Sequence, residues 1–306
     1  MSTSSIPAPT RPTPLQWGLI GALVIGLIWA YWPSWLTMSQ HWAHNPQYSH
    51  GYIVPLFALA LLWWRRDRLH GSAARPSHWG WPLLGLGILL RLASAYVYFD
   101  WFDNISLLPL LAGLCLLLGG RTALAWAWPA VLFLFFMLPL PYRVETALAV
   151  PLRGIATQAS TFILQTAGLP ALAEGNVIRI NDIKIGVVEA CSGLSMLLVF
   201  FALSTAVALL VDKPLWERLL LVASAVPIAV IANVVRISVT GLLHVKVGGE
   251  VADAFFHDFA GWLMMPFALV LLWLEVQMLA RAWLPLPDAD LRAAPAGSFV
   301  PALERA

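Results

Sequence analysis

Three side chains could do joint chemistry if the chain folds them together: a thiol at Cys191, a guanidinium at Arg236 and an imidazole at His257. A thiolate attacks carbonyl carbon, and a thiol needs a basic or cationic neighbour to ionise near neutral pH. An imidazole can carry the proton to a leaving amine. A fixed guanidinium can hydrogen-bond the oxyanion formed on the attacked carbonyl. Together they would make a cysteine protease or transpeptidase. Taken singly, each has a plainer reading. Cys191 alone is a small buried packing residue, Arg236 a side chain snorkelling to an interface, and His257 a helix cap. The joint reading therefore depends on the elements that carry them.

Those elements cross a membrane. Apolar residues make up 60% of the 306, charged residues only 11%, and the mean hydropathy is +0.77. Soluble domains carry about 25% charged residues, and a chain this apolar could not bury its surface in water. Several runs reach the roughly 20 apolar residues that cross a bilayer core, and backbone in lipid satisfies itself as helix. The expected fold is an all-α polytopic membrane protein with about eight spans: 17–36, 50–64, 79–98, 104–120, 122–141, 191–211, 215–243 and 257–280. Residues 1–16 and 284–306, rich in Pro with Ser/Thr or Ala, are expected to be a disordered N-terminus and a mobile C-terminal tail around one membrane domain, 17–283. The first apolar run lacks a small-residue cleavage site, so it reads as an uncleaved helix. Two cysteines give no disulfide framework, and a net charge of +2 spread along the chain gives no nucleic-acid-binding face.

Short loops rich in Lys and Arg stay cytoplasmic. "WWRRDRLHGSAARP" holds Arg65, Arg66, Arg68 and Arg75, and placing it inside puts both termini inside as well. Arg121, Lys213, Arg218, Arg281 and Arg292 follow. The acidic "YFDWFDN" then faces outward, as does the long 142–190 connection despite Arg143, Arg153, Arg179 and Lys184. In that connection Leu148, Leu152, Ile155, Ala159, Phe162 and Ile163 recur at helical spacing, with Arg153 and Thr157 on other faces. The pattern predicts an outer amphipathic helix along the membrane surface, with Pro151 able to kink it. "NVIRINDIKIGVVEA" then alternates around Asn181-Asp182, predicting a short β-hairpin before span six.

Counting residues places the trio. Cys191 opens span six at the outer surface. Span seven starts inside near Leu215, and Arg236 lies 21 residues further on, about 30 Å at the helical rise and close to the hydrocarbon thickness. His257 heads span eight, again outside. Other residues stand close by in sequence. Glu189 either holds the loop or pairs with Arg236, Asn233 lies one turn before Arg236, Asp258 suits a helix N-terminus, and Ser192 is a helix-start hydroxyl or a rival nucleophile. Ser195 reads as helix packing. A second outer cluster, "HWAHNPQYSHGYIVP", carries His41, His44 and His50; their irregular spacing and the lack of a nearby carboxylate or thiolate argue against a metal site. Tyr48, Ser49, His50 and Gly51 are instead expected to line the outer mouth of a substrate groove. No metal and no cofactor is expected. Cys115, in mid-span, reads as packing, and Arg91 as an internally paired residue without an assigned role.

"EACSGL" heading one span, "NVVR" ending the next and "HDFAG" opening the last resemble the exosortase/archaeosortase family, as does "YSHGYIVPLFALALLWWRR" near the start. The resemblance runs from about residue 15 to 283. It implies Cys191 as nucleophile, with Arg236 and His257 completing the set, in a protein-sorting enzyme of the bacterial inner membrane. Its substrates would be membrane-anchored proteins ending in a Pro-Glu-Pro-like motif, a transmembrane helix and a basic tail. Cleavage on the periplasmic side would form a thioester, and an acceptor such as a lipid or polysaccharide would receive the protein; such enzymes accompany exopolysaccharide production. Three other classes compete. A polysaccharide polymerase, ligase or export component would need no thiol. An intramembrane serine protease would need a Gly-x-Ser-x arrangement, which is absent around Ser192. A transporter would need broken helices and mid-membrane ionisable groups.

Overall fold

The computed structural model describes residues 14–69, 75–181, 183–186, 193–211, 213–248 and 260–282. Among these, helices α1 (Pro14–Ala30), α2 (Trp32–His44) and α3 (Ile53–Trp64) come first, with a 3₁₀ helix Pro46–Tyr52 between α2 and α3. Next come α4 (Gly80–Val97), α5 (Asp100–Phe133) and α6 (Tyr142–Thr166). Strands β1 (Ala171–Glu174), β2 (Val177–Ile180) and β3 (Ile183–Gly186) follow, and then α7 (Gly193–Leu210), α8 (Leu215–Ala223), α9 (Ala225–Lys246) and α10 (Ala260–Ala282). The chain is a mostly helical, multi-pass membrane protein. Among the described residues four helical stretches are long and apolar enough to cross a bilayer, or five when the bent α1–α2 pair is counted as one span.

That number differs from eight because several expected spans are broken or merged, because only part of the sixth and eighth falls among the described residues, and because α6 is itself one of the four. The first bends by 58° between α1 and α2, where Pro33 occupies the opening turn of α2. The second is a 3₁₀ turn followed by a helix of only 12 residues. The fourth and fifth are joined as α5, whose 34 residues are interrupted at Gly120, with φ 70° and ψ −157°. That conformation is open essentially to glycine alone, and a Cβ here would strike the Arg75 carbonyl. The two arms of α5 do not share one axis. Tyr31 bonds Ser106 and Trp42 bonds the Met137 carbonyl. The stretch from Tyr31 to Trp42, about 17 Å at the helical rise, thus reaches α5 and the 3₁₀ turn Leu134–Met137 after it at positions that a straight helix would hold about 46 Å apart. α4 packs closely along the first arm. A Cβ on Gly80 would lie 2.5 Å from Leu117 Cγ and 2.6 Å from the Gly113 carbonyl, so glycines permit the contact that lipid-embedded helices need.

The expected hairpin forms as β2–β3, with Ile180 opposite Ile183 and Asn181 at φ 52°, as a tight turn requires. A third strand, β1, pairs antiparallel with β2 through a second two-residue turn at Gly175-Asn176. Its Ala-rich "ALAE" carries little β-propensity. Ala171, Ile178, Ile180 and Ile185 form the buried face, packed on Leu164 of α6 and Ile237 of α9.

The expected amphipathic helix is α6, but its inward face differs from the one its apolar residues suggest. Ala149, Ala156, Thr157, Ser160, Thr161 and Leu164 are buried, whereas Leu148, Ile155, Phe162 and Ile163 are exposed. A helix on water hides its large apolar side chains; a helix in lipid turns them outward and packs through small and hydroxyl-bearing residues. α6 is built the second way.

Candidate active site

α9 carries the described part of the trio. At 100° per residue, Ala225, Ala229 and Ala232 form one stripe that meets Leu194, Leu197 and Phe200 of α7. Arg236 continues this stripe one turn beyond Ala232. A second stripe, Val230, Val234 and Ile237, meets Ala156 and Leu164 of α6, and Gly241 approaches Leu164. Asn233 falls between the two stripes, only 2% exposed. Its carboxamide oxygen is buried without a hydrogen-bond partner. Thr240 Oγ1 donates to the Arg236 carbonyl at 2.9 Å.

α7 and α10 both meet the α9 region. Leu194 of α7 lies in one cluster with Ala232, and Phe267 of α10 packs on that cluster too. Ser224, just before α9, donates to Glu275 Oε2 of α10 at 2.6 Å. Cys191 precedes α7 by two residues and His257 precedes α10 by three. Cys191, Ser192, Glu189, His257 and Asp258 themselves lie outside the described residues. Ser195 falls within α7.

α6 brings a residue that the sequence pattern put on another face. Arg153 sits at the centre of the buried stripe Ala149–Ala156–Ser160, and its Nε is sealed from solvent without a hydrogen-bond partner. Thr157 Oγ1 donates to the Arg153 carbonyl at 2.8 Å, and Ser160 Oγ to the Val234 carbonyl at 3.3 Å. Arg153 therefore faces the junction of α6, α7 and α9. The buried hydroxyls around it are the signal that could have marked this face in advance.

The segment Tyr48–Gly51 binds the break between α5 and α6. Tyr48 is 3% exposed. Its hydroxyl accepts from the Leu140 N–H at 3.1 Å and donates to Glu145 Oε2 at 3.3 Å; burial pushes its phenol up. His50 Nε2 meets the Phe136 carbonyl at 3.2 Å and so carries the proton there. Trp42 Nε1 donates to the Met137 carbonyl at 2.9 Å, and any Cβ on Gly51 would run into that indole. Three side chains thus satisfy backbone groups that a helix break leaves open. His50 also lines a cavity of about 220 Å³ with Val54, Phe57, Phe133, Leu203 and Leu269, whereas Ser49 is exposed.

Two further polar contacts hold the helices. Arg91 pairs with Asp103 at 3.5 Å, donates to the Ala30 carbonyl and stacks on Tyr31, and Ser34 donates to Asp103. This network fixes the α1–α2 bend against α4 and α5. Cys115 is half-buried within α5. Among the described residues no group of three His, Cys, Asp or Glu side chains could hold a metal ion.

A family model described as transmembrane exosortase (Exosortase_EpsH) matches residues 42–274, three-quarters of the chain. The chain belongs to the transmembrane exosortase family. The match takes in the 3₁₀ segment, Arg153 and Arg236, and the stretches that hold Cys191 and His257. No curated protein matches the chain, and no solved structure does.

Proposed function

We propose that the chain is a membrane-embedded cysteine transpeptidase that cuts a C-terminal sorting signal outside the bacterial inner membrane and transfers the protein through a thioester. The observation that carries the reading is the stripe on α9. Arg236 follows Ala225, Ala229 and Ala232 on the face turned to α7, and α7 begins two residues after Cys191. Leu194, at the start of α7, and Ala232 fall in one cluster; in sequence Cys191 stands three residues before Leu194 and Arg236 four after Ala232. Phe267 of α10, ten residues after His257 in sequence, packs on the same cluster.

In this reading the Cys191 thiolate adds to the carbonyl carbon of the scissile amide, and the oxyanion receives hydrogen bonds from Arg236. His257 takes the thiol proton and returns it to the departing nitrogen as the C–N bond breaks. The acyl thioester then passes to the nucleophile of the acceptor, releasing the thiol. Glu189, Asn233, Asp258 and Ser192 support the centre. The reading keeps both termini cytoplasmic and the centre on the periplasmic side. A substrate helix anchored in the same bilayer presents its juxtamembrane segment at that height, raising its local concentration. The β1–β3 sheet, packed on α6 and α9, is the part of the 142–190 region that would cover the centre and favour transfer over hydrolysis.

The test is co-expression with a membrane-anchored reporter bearing a Pro-Glu-Pro-type signal. Processing should vanish with Cys191→Ala, Arg236→Ala or His257→Ala, and a thioester adduct should be trapped at Cys191. Full processing by Cys191→Ala would overturn the thioester mechanism, and no processing by the wild-type chain would favour a polysaccharide polymerase or export component.

A further inference from the structure

We infer that Arg153 of α6 and Asn233 of α9 form a subsite for an acidic peptide residue, beside the centre that Arg236 serves. The inference rests on the reading of the chain as a peptide-processing enzyme. Arg153 holds a permanent positive charge in a stripe of alanines and hydroxyls. Its Nε is sealed from solvent and has no acceptor. Arg153 is half-buried as a whole, but a sealed guanidinium N–H is costly unless an acceptor meets it. Among the described residues no carboxylate does. Glu145, two turns earlier on α6, accepts from Tyr48, and Glu174 of the adjoining sheet is paired with Arg179 at 2.8 Å.

The second orphan is Asn233. Its side chain is 2% exposed and its carboxamide oxygen lacks a donor. It stands on the same three-helix junction, one residue before the Val234 carbonyl that Ser160 bonds. Arg153 lies two turns before that serine. The junction therefore offers a guanidinium seeking an anionic oxygen and an amide oxygen seeking an N–H. A lipid phosphodiester would supply only the first. A peptide segment with an acidic side chain supplies both, carboxylate for Arg153 and backbone N–H for Asn233. Bound there, it would register an extended substrate against α9, along whose α7-facing stripe Arg236 follows.

The experiment compares two membrane-anchored reporters, one with the glutamate of its Pro-Glu-Pro motif intact and one with that glutamate changed to glutamine. Against wild type, the glutamine reporter should be processed about 10- to 100-fold more slowly, the loss expected for one charge-assisted hydrogen bond. Arg153→Gln should slow the glutamate reporter by a similar factor and leave the glutamine reporter at its wild-type rate. Arg153→Lys should recover part of the preference for glutamate. Equal slowing of both reporters by Arg153→Gln, or slowing of neither, overturns the subsite. No processing of either reporter by the wild-type chain overturns the underlying enzyme reading instead, so the two failures are distinct.

Discussion

Replacing Ala232 by leucine should separate catalysis from folding. Ala232 is fully buried, with Ala225 and Ala229 on the same stripe 0% and 2% exposed, and this stripe meets α7 at Leu194 and Leu197. Helices that touch through alanine sit at the near end of the usual 8–10 Å range of axial separation, and a leucine moves them toward the far end, by roughly 1–2 Å. Overpacking of this size costs about 1–3 kcal/mol, which a folded membrane domain can absorb. A displacement of ~1 Å between reacting groups costs on the order of 100-fold in rate. If α7 and α9 carry the nucleophile and its oxyanion donor, Ala232→Leu should therefore lower reporter processing by about 100-fold or more. The variant should still insert and should melt in detergent within a few degrees of wild type. Ile231→Leu, on the half-exposed neighbouring face, is the control and should process normally. Normal processing by a folded Ala232→Leu protein would refute the premise that this helix pair sets the catalytic geometry.

Three pairs of substitutions address the scaffold. Tyr48→Phe leaves the Leu140 N–H without its acceptor and should destabilise by about 1–3 kcal/mol in detergent unfolding, while Glu145→Gln, which keeps an acceptor for the phenol, should cost less. Gly120→Ala should destabilise by at least ~1–3 kcal/mol from backbone strain alone. In contrast Gly154→Ala, where a Cβ meets nothing within 4 Å, should stabilise α6 by about 0.5–1 kcal/mol. A double-mutant cycle of Arg91→Ala and Asp103→Ala should give a coupling of ~0.5–3 kcal/mol, and a value near zero would remove the pair as a determinant of the α1–α2 bend.

Composition alone determined the class of molecule, because a chain with 11% charged residues and long apolar runs has no other solvent than lipid. Local patterning determined the β2–β3 hairpin, since alternation and an Asn-Asp turn act within ten residues. It also marked the boundary at Gly120 between the fourth and fifth apolar runs. The residues of the proposed centre were legible as motifs at the ends of apolar runs, and their chemistry as a property of thiol, guanidinium and imidazole.

Tertiary structure decided which way the helices face. In a lipid-embedded helix the apolar periodicity no longer marks the inside, because the outside is apolar too. The large residues of α6 pointed to one face and the fold buried the opposite one, carrying Arg153 into the junction with α9. Long-range contacts decided the rest. Trp42, Tyr48 and His50 satisfy backbone groups 86 to 95 residues away, and Asp103 answers Arg91 from the next helix. Hydrogen bonds of that reach leave no period in the sequence; they exist only once the helices have closed on one another.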